Sequence, residues 1–140
     1  MSEKSVTRLF MGWADGDNFN SVSKEPTVLD VKGQWVDTKG ADGMMMHVEI
    51  ETIGTLSFLY VSCEVSPDKV KASKVTMGSA AALVGGELQS SLYPLVYKIP
   101  MAGLSDGDIL SAWFDFRSAF SRVVLRGDVA DGLVRVQCEI

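Results

Sequence analysis

The C-terminal stretch of the chain alternates strictly between apolar and polar side chains. Its apolar residues and the polar residues between them are Val134, Val136, Cys138 and Ile140 against Arg135, Gln137 and Glu139. Successive side chains of a β-strand point to opposite faces, so this period of two predicts a strand with one face in a core and one in water. The same period recurs along most of the chain and constrains the fold more than any other feature.

Two pairs of neighbouring strands are predicted to form antiparallel hairpins. Residues 120–126 alternate like the C-terminal strand, and the Asp131-Gly132 step between the two is a common hairpin turn. Residues 44–53 also alternate, the chain turns at Gly54, and an apolar strand follows over residues 56–65. This last strand is apolar on both faces, which is typical of a central strand covered on both sides.

Shorter strands are predicted at residues 27–31, 75–77, 95–99 and 110–116. Pro94 and Pro100 bracket the third of these, as at a sheet edge. Residues 79–84 fit either a short helix or a small-residue strand, and residues 101–110 are predicted to form a loop. Strands at intervals of about ten residues, without a long amphipathic helix, predict an all-β fold.

The predicted fold class is an antiparallel two-sheet sandwich of jelly-roll-like type, with about eight strands and little helix. The sandwich is predicted to span residues 27–140. Residues 1–26 are polar, contain several Gly and Asp residues and carry scattered aromatic side chains. We therefore predict an N-terminal arm or long loop there, which needs a surface to pack against.

The charge of the chain disfavours several classes of partner. The formal net charge is −5, whereas nucleic-acid binding needs basic residues that displace counterions from phosphates. The densest cationic stretch, Lys69, Lys71 and Lys74, is loosely spaced and is predicted to be a solvated loop or edge. No apolar run approaches the ~18 residues that span a bilayer, and residues 1–10 lack an apolar signal-peptide core. We expect no nucleic acid, no membrane and no secretion by a signal peptide.

Signals for catalysis are weak. His47 is the only histidine, it shares a predicted wet strand face with Glu49, and no serine stands in a nucleophile-elbow motif. The acids Glu49, Glu51 and Asp115 could serve a glycosidase, but neighbouring acids on a wet strand face are common. We expect a protein that is not an enzyme.

Signals for a metal or cofactor are equally weak. Cys63 and Cys138 lie on the apolar register without zinc-ligand spacing, which predicts buried free thiols. The segments 15–18 and 105–108 are rich in Asp and could bind calcium, but they lack the rest of an EF-hand loop and favour turns. We therefore predict no cofactor and no metal.

Several large apolar side chains have no obvious place in the core and are candidate interface residues. Three consecutive methionines suit an adaptable contact surface, and aromatic groups in the arm and in the 110–116 strand add to it. The predicted interface set is Phe10, Trp13, Phe19, Met44, Met45, Met46 and Trp113. Simple loop coverage remains an alternative for these residues, and so does a sugar-binding platform at Trp113 or Trp13.

Several stretches of the chain share a layout with a known group of proteins. The stretches are residues 29–37, Val48-Glu49-Ile50-Glu51, residues 56–68, Tyr97-Lys98-Ile99-Pro100, and residues 120–126 before the terminal strand. Together they cover about 110 residues and resemble the decoration or cement β-sandwich proteins on the capsid shells of tailed bacteriophages.

The resemblance implies a non-enzymatic virion structural protein that binds and stabilises a protein shell. Its partners would be further copies of itself, often in a trimer, and the major capsid protein or another virion protein, contacted through loops and terminal arms. It would be assembled in the host cytoplasm and end in the virion. A carbohydrate-binding β-sandwich module is the alternative, and a small hydrolase is a third possibility, since fold does not determine function.

Overall fold

The computed structural model describes residues 9–11, 23–75, 81–84, 87–90 and 95–139. Within these ranges the chain consists of β-strands, turns and loops, without a helix. The strands are β1 (Leu9–Met11), β2 (Val31–Lys32), β3 (Val36–Asp37), β4 (Gly43–Thr52), β5 (Phe58–Ser66), β6 (Ser73–Lys74), β7 (Ala81–Val84), β8 (Glu87–Ser90), β9 (Val96–Pro100), β10 (Asp108–Asp115), β11 (Phe120–Gly127) and β12 (Leu133–Glu139).

The strands form two antiparallel sheets that pack face to face, which confirms the predicted two-sheet sandwich. The first sheet has the order β1-β12-β4-β10. In the second sheet β11 and β5 lie at the centre, with β2 and β3 along the outer side of β11, and β6 and β9 along the outer side of β5. Strands β7 and β8 pair with each other, so residues 81–84 form a strand rather than a helix.

Both predicted hairpins are wrong in their pairing, although their strands are correct. Strand β4 pairs with β10 and β12 in the first sheet, whereas β5 pairs with β11 in the second. Strand β12 follows β11 in sequence but pairs with β4 and β1 instead. Each connection is an arch that carries the chain from one sheet to the other. The alternation cannot tell an arch from a hairpin, because both place the apolar register of each strand in the same core.

The two arches lie against each other at one end of the sandwich. The carboxylate of Asp128, in the arch from β11 to β12, accepts hydrogen bonds from the backbone N–H groups of Ser57 and Phe58, both at 2.9 Å. Leu56, in the arch from β4 to β5, is buried beneath them. Aspartates favour turns because their carboxylates bond to backbone N–H groups in this way.

The core fills the space between the sheets. Its fully buried large side chains come from both sheets and include Met44, Met46, Val48, Ile50, Leu59, Val61, Phe114, Val123, Leu125, Val134 and Val136. The ring of Tyr97 meets that of Phe114 edge-on, at 5.2 Å between centroids. Cys63 and Cys138 are fully buried free thiols, as predicted. Each large side chain contributes about 1.5–3 kcal/mol through burial.

The shorter strands agree with their predictions only in part. The strand predicted at 27–31 is reduced to Val31–Lys32, and the one predicted at 75–77 lies instead at Ser73–Lys74, with residues 76 and 77 outside the described ranges. Within the described ranges strand β9 pairs only with β5, and it ends at Pro100, in line with the predicted edge.

The described residues of the segment predicted as an arm contact the first sheet, and the Ser23 hydroxyl also bonds to the Glu51 carboxylate of β4. Strand β1 pairs with β12, and the backbone N–H and C=O of Lys24 bond to those of Val134 at 2.8 and 2.9 Å. The boundary at residue 26 stays a prediction.

Candidate interaction surfaces

The outer face of the first sheet presents one continuous, ordered surface, which we call the Trp113 face. It is built in cross-strand rows, because the register aligns residues of β10, β4 and β12. The three rows are Trp113, Met45 and Glu139; Ser111, His47 and Gln137; and Ile109, Glu49 and Arg135. The sequence correctly predicted that Met45, His47 and Glu49 share a face of β4 that is not part of the core.

Trp113 is exposed, yet it is held in one orientation. Its side chain is 41% exposed, and its indole N–H donates a hydrogen bond to the Asp115 carboxylate at 2.6 Å. The ring lies over Gly43 of the neighbouring strand, where an added Cβ would stand 2.5 Å from Trp113 Cζ2. Its backbone carbonyl accepts a hydrogen bond from the Tyr97 hydroxyl at 2.8 Å. A large aromatic group fixed in advance loses little entropy when it binds a partner.

Further apolar side chains lie on the same face, although of these only Met45 is a direct cross-strand neighbour of the Trp113 indole. Ile109 is 60% exposed on the same strand, and Leu133 is 41% exposed at the start of β12. Met45, next to Trp113 in its row, is half-buried. A rigid, exposed tryptophan beside an apolar neighbour is typical of the residues that dominate binding energy at protein interfaces.

The predicted interface set is divided by the structure. Met44 and Met46 are fully buried in the core, which removes them from any contact on the surface of the folded chain. The reason is the period of two, because both flank Met45 on the opposite side of β4. Met45 and Trp113 lie together on the Trp113 face.

The aromatic residues of the arm are placed only in part. Phe10 lies in β1, in register with Cys138, and its side chain is outside the described residues. Trp13 and Phe19 also lie outside the described residues. Their role at an interface stays a prediction.

The polar groups of the Trp113 face form short local contacts. His47 Nδ1 and Ser111 Oγ are 2.7 Å apart, and Arg135 forms ion pairs with Glu49 and Glu51 at 3.9 and 2.8 Å. The histidine–serine contact was not predicted, since only the pairing of β4 with β10 creates it. Serine–histidine catalysis also needs an acid on the second ring nitrogen and an oxyanion site, whereas this pair lies on an open strand face.

Neither cavities nor metal ligands single out another site in the described part of the chain. A cavity of about 180 Å³ opens between the edge strands β9 and β10, lined by Val48, Tyr97, Ile99, Leu110, Ser111 and Ala112. It is smaller than the ~300 Å³ at which small-molecule sites begin. A second cavity, of about 340 Å³, is lined by residues 39–42 and 117–119, which include Lys39, Asp42 and Arg117 rather than the mainly apolar groups of a typical ligand site. Among the described residues no group of three or more His, Cys, Asp and Glu could hold a metal ion.

The outer face of the second sheet carries a layer of cations on aromatic rings, which we call the cation–aromatic face. Arg122 lies 4.1 Å from the ring centroid of Trp35, and Arg126 lies 4.5 Å from that of Tyr60. The other pairs are Lys98 on Phe58 at 4.2 Å, and Lys39 and Lys69 on Phe120 at 4.9 and 4.7 Å.

This second face was missed in the sequence. Energetically significant pairs of this kind occur roughly once per 70–80 residues, so the face is enriched in them. Its residues come from β5, β9, β11 and intervening loops, and no sequence window shows a cluster. The local signals were the alternation of Phe120, Arg122 and Arg126 in β11 and the loosely spaced cations Lys69, Lys71 and Lys74.

A buried ion pair stands at the centre of the cation–aromatic face. Glu64 is 6% exposed, and its Oε1 accepts hydrogen bonds from Arg122 Nη2 and Nε at 2.7 and 2.8 Å. Lys32 Nζ lies 3.5 Å from the other carboxylate oxygen. The two-point contact orients the guanidinium under the Trp35 ring.

Comparison with known proteins does not assign the chain to a family. No family model matches it, and searches of curated proteins and of solved structures found no match. Among the described residues no helix is long and apolar enough to cross a membrane. The function is therefore argued from the two surfaces.

Proposed function

We propose that the chain is a non-enzymatic assembly protein whose Trp113 face binds a protein partner, including further copies of itself. The observation that carries the proposal is the exposed indole of Trp113, fixed by Asp115 and Gly43 beside Met45. Tryptophan is enriched among the residues that dominate binding energy at protein interfaces. The exposed Ile109 and Leu133 extend the apolar area beyond what a single surface residue would offer.

The specific form of this proposal is a capsid decoration subunit of a tailed phage. It is supported by the two-sheet sandwich, by the open strand face and by the resemblance in strand layout. In that form the chain joins a virion shell after assembly in the host cytoplasm, and a trimer is the oligomer that the resemblance implies.

Light scattering of the purified chain, over a range of concentrations, tests the assembly proposal. We expect a mass above that of the monomer, and Trp113→Ala should weaken association by roughly tenfold or more, the loss typical of a binding hot spot. Val28→Ala is the matched control, because Val28 is 58% exposed, lies in the loop before β2 outside the Trp113 face and is not among the cations and rings of the second sheet. A chain that stays monomeric at every concentration would overturn self-association.

A carbohydrate-binding module is the second candidate, because the free side of a fixed indole can also stack on a sugar ring. It predicts a monomer that binds glycans on an array and loses that binding with Trp113→Ala. An array without any signal removes this candidate.

A further inference from the structure

We infer that copies of this chain associate head to tail, with the cation–aromatic face of one copy on the Trp113 face of the next. This inference rests on the proposed self-association and names the two surfaces that meet. It is carried by the charges that the fold sorts onto opposite sides of the sandwich.

The two faces have opposite charge. On the cation–aromatic face and its rim cations outnumber carboxylates: Lys32, Lys39, Lys69, Lys74, Lys98, Arg122 and Arg126 against Asp30, Asp37, Glu64 and Asp68. On the Trp113 face carboxylates outnumber cations: Glu49, Glu51, Asp115 and Glu139 against Arg135. Complementary potentials of this kind align two surfaces and suppress wrong partners.

The acidic face of a second copy fits the cation–aromatic face better than a nucleic acid does. Nucleic-acid sheets offer bare aromatic rings on which bases stack, whereas each ring here already carries a cation at 4.1 to 4.9 Å. Carboxylates stand among the cations, and the whole chain has a net charge of −5, which repels a polyanion at long range.

The size of the faces predicts a weak contact. The main strands are about eight residues long, with a rise of about 3.3 Å per residue, and each sheet is about four strands wide. Each face therefore has an area of roughly 500 Å². Stable interfaces bury about 800 Å² on each partner. We therefore expect an association that depends on protein concentration and on salt, since the Debye length falls from about 8 Å at 0.15 M to about 3 Å at 1 M salt.

The arrangement of the faces also predicts the form of the assembly. A contact between two different surfaces is heterologous, and it extends into an open chain of subunits unless a rotation closes it into a ring. The two faces lie on opposite sides of one sandwich, so the expected product is an open stack. Its mass rises with concentration instead of stopping at a fixed trimer.

Charge reversal on each face, followed by mixing, tests this inference. The first variant carries Lys98→Glu and Arg126→Glu on the cation–aromatic face, and the second carries Glu49→Lys and Glu139→Lys on the Trp113 face. The control, Arg117→Glu, makes a charge change of the same kind at a side chain that is 85% exposed in the loop between β10 and β11 and that is not among the charges counted on either face. Circular dichroism and thermal unfolding establish that each variant is folded, and light scattering at 0.05 and 0.5 M NaCl measures association.

We expect each face variant alone to associate at least tenfold more weakly than the wild type at low salt. Their equimolar mixture should regain the mass of the wild type, because each reversed face then meets a complementary one. The control should match the wild type. Binding of the wild type to a fluorescent single-stranded DNA in preference to itself would overturn the inference.

Two further outcomes separate this inference from the proposed function. Association that Trp113→Ala abolishes but neither reversal affects would overturn the head-to-tail contact and leave the Trp113 face as a self-association surface. A fixed trimer that the charge reversals leave unchanged would also overturn the head-to-tail contact and leave the Trp113 face as a self-association surface. A monomer under all conditions overturns both.

Discussion

The carboxylate of Asp131 accepts hydrogen bonds from both the backbone N–H and the hydroxyl of Thr55, at 2.8 and 2.7 Å. Thr55 lies in the arch from β4 to β5, and Asp131 lies in the arch from β11 to β12. This contact, with the Asp128 contacts beside it, joins the two connections that carry the chain between the sheets. The end of the sandwich is therefore held by aspartates, which makes its stability sensitive to acid.

Acid should destabilise the fold through these aspartates. The hydroxyl and N–H of Thr55 lower the pKa of Asp131 from its ordinary value of 3.8, and the N–H of Phe58 lowers the pKa of Asp128 in the same way. A lowered pKa in the folded state stabilises the fold above the unfolded value, and this stabilisation is lost as the pH falls through the folded value. We expect the unfolding free energy, measured by urea denaturation from pH 7 to pH 2, to drop below about pH 4.

The Asp131→Asn variant should show a smaller acid-dependent loss of stability than the wild type. Thr55→Ser keeps the hydroxyl and serves as the control, which should reproduce the wild-type pH profile. Identical profiles for the wild type and Asp131→Asn would contradict a role for this carboxylate.

Gly43→Ala should displace the Trp113 indole. The added methyl group would meet Trp113 Cζ2 at 2.5 Å and also the backbone oxygen of Phe114. Overpacking of this kind costs about 1–3 kcal/mol, measured as a lower urea midpoint. The loss of stability caused by Gly43→Ala should be smaller in the Trp113→Ala background, where the added methyl group meets only the backbone oxygen of Phe114. An equal cost in both backgrounds would show that the indole does not depend on Gly43.

Arg122→Met should destabilise the chain more than the double variant Arg122→Met with Glu64→Leu. The single change leaves the buried Glu64 carboxylate with Lys32 at 3.5 Å as its remaining cation. Removing one partner of a buried ion pair costs about 3–5 kcal/mol, whereas apolar replacement of both partners is often nearly neutral. Chemical denaturation measures the unfolding free energy of both variants. Equal losses of stability in the single and the double variant would contradict a role for the Arg122–Glu64 pairing.

The two thiols should be unreactive in the folded chain. Burial raises the pKa of Cys63 to about 12 and also raises the pKa of Cys138. Because only the thiolate attacks a disulfide reagent, the reaction with Ellman's reagent at pH 8 should be at least roughly a hundredfold slower than in guanidinium chloride. Fast reaction of one thiol under native conditions would show that its part of the core opens readily.

Local pattern was a good guide to the environment of individual side chains. In β4 the period of two correctly separated Met44 and Met46, which are buried, from Met45 and His47 on the outer face. It also placed Cys138 in the core and put Trp113 and Phe114 on opposite faces, and the structure shows that Phe114 is the buried one. These predictions succeed because strand geometry alone decides which side chains share a face.

Pairing was not predictable in the same way. The Asp131-Gly132 step fits a hairpin turn as well as it fits an arch, and the strand alternation is identical in both. The contact between Thr55 and Asp131, which favours the arches, joins residues far apart in the chain. The cation–aromatic face was not predicted for the same reason. Its residues, among them Lys39, Tyr60, Lys98 and Arg126, come to lie on one face only after the strands have paired.

The amino-acid sequence by itself determined that the chain forms an all-β sandwich and which side chains of its main strands share a face, since a period of two is a property of each strand alone. Tertiary structure decided which strands lie side by side, because many pairings bury the same apolar residues and only long-range contacts distinguish them. It also placed the two surfaces on opposite sides of the sandwich: the Trp113 face with its fixed indole, and the cation–aromatic face with its cations on aromatic rings. Charges dispersed along a chain with net charge −5 become complementary faces only when the sheets place them on opposite sides.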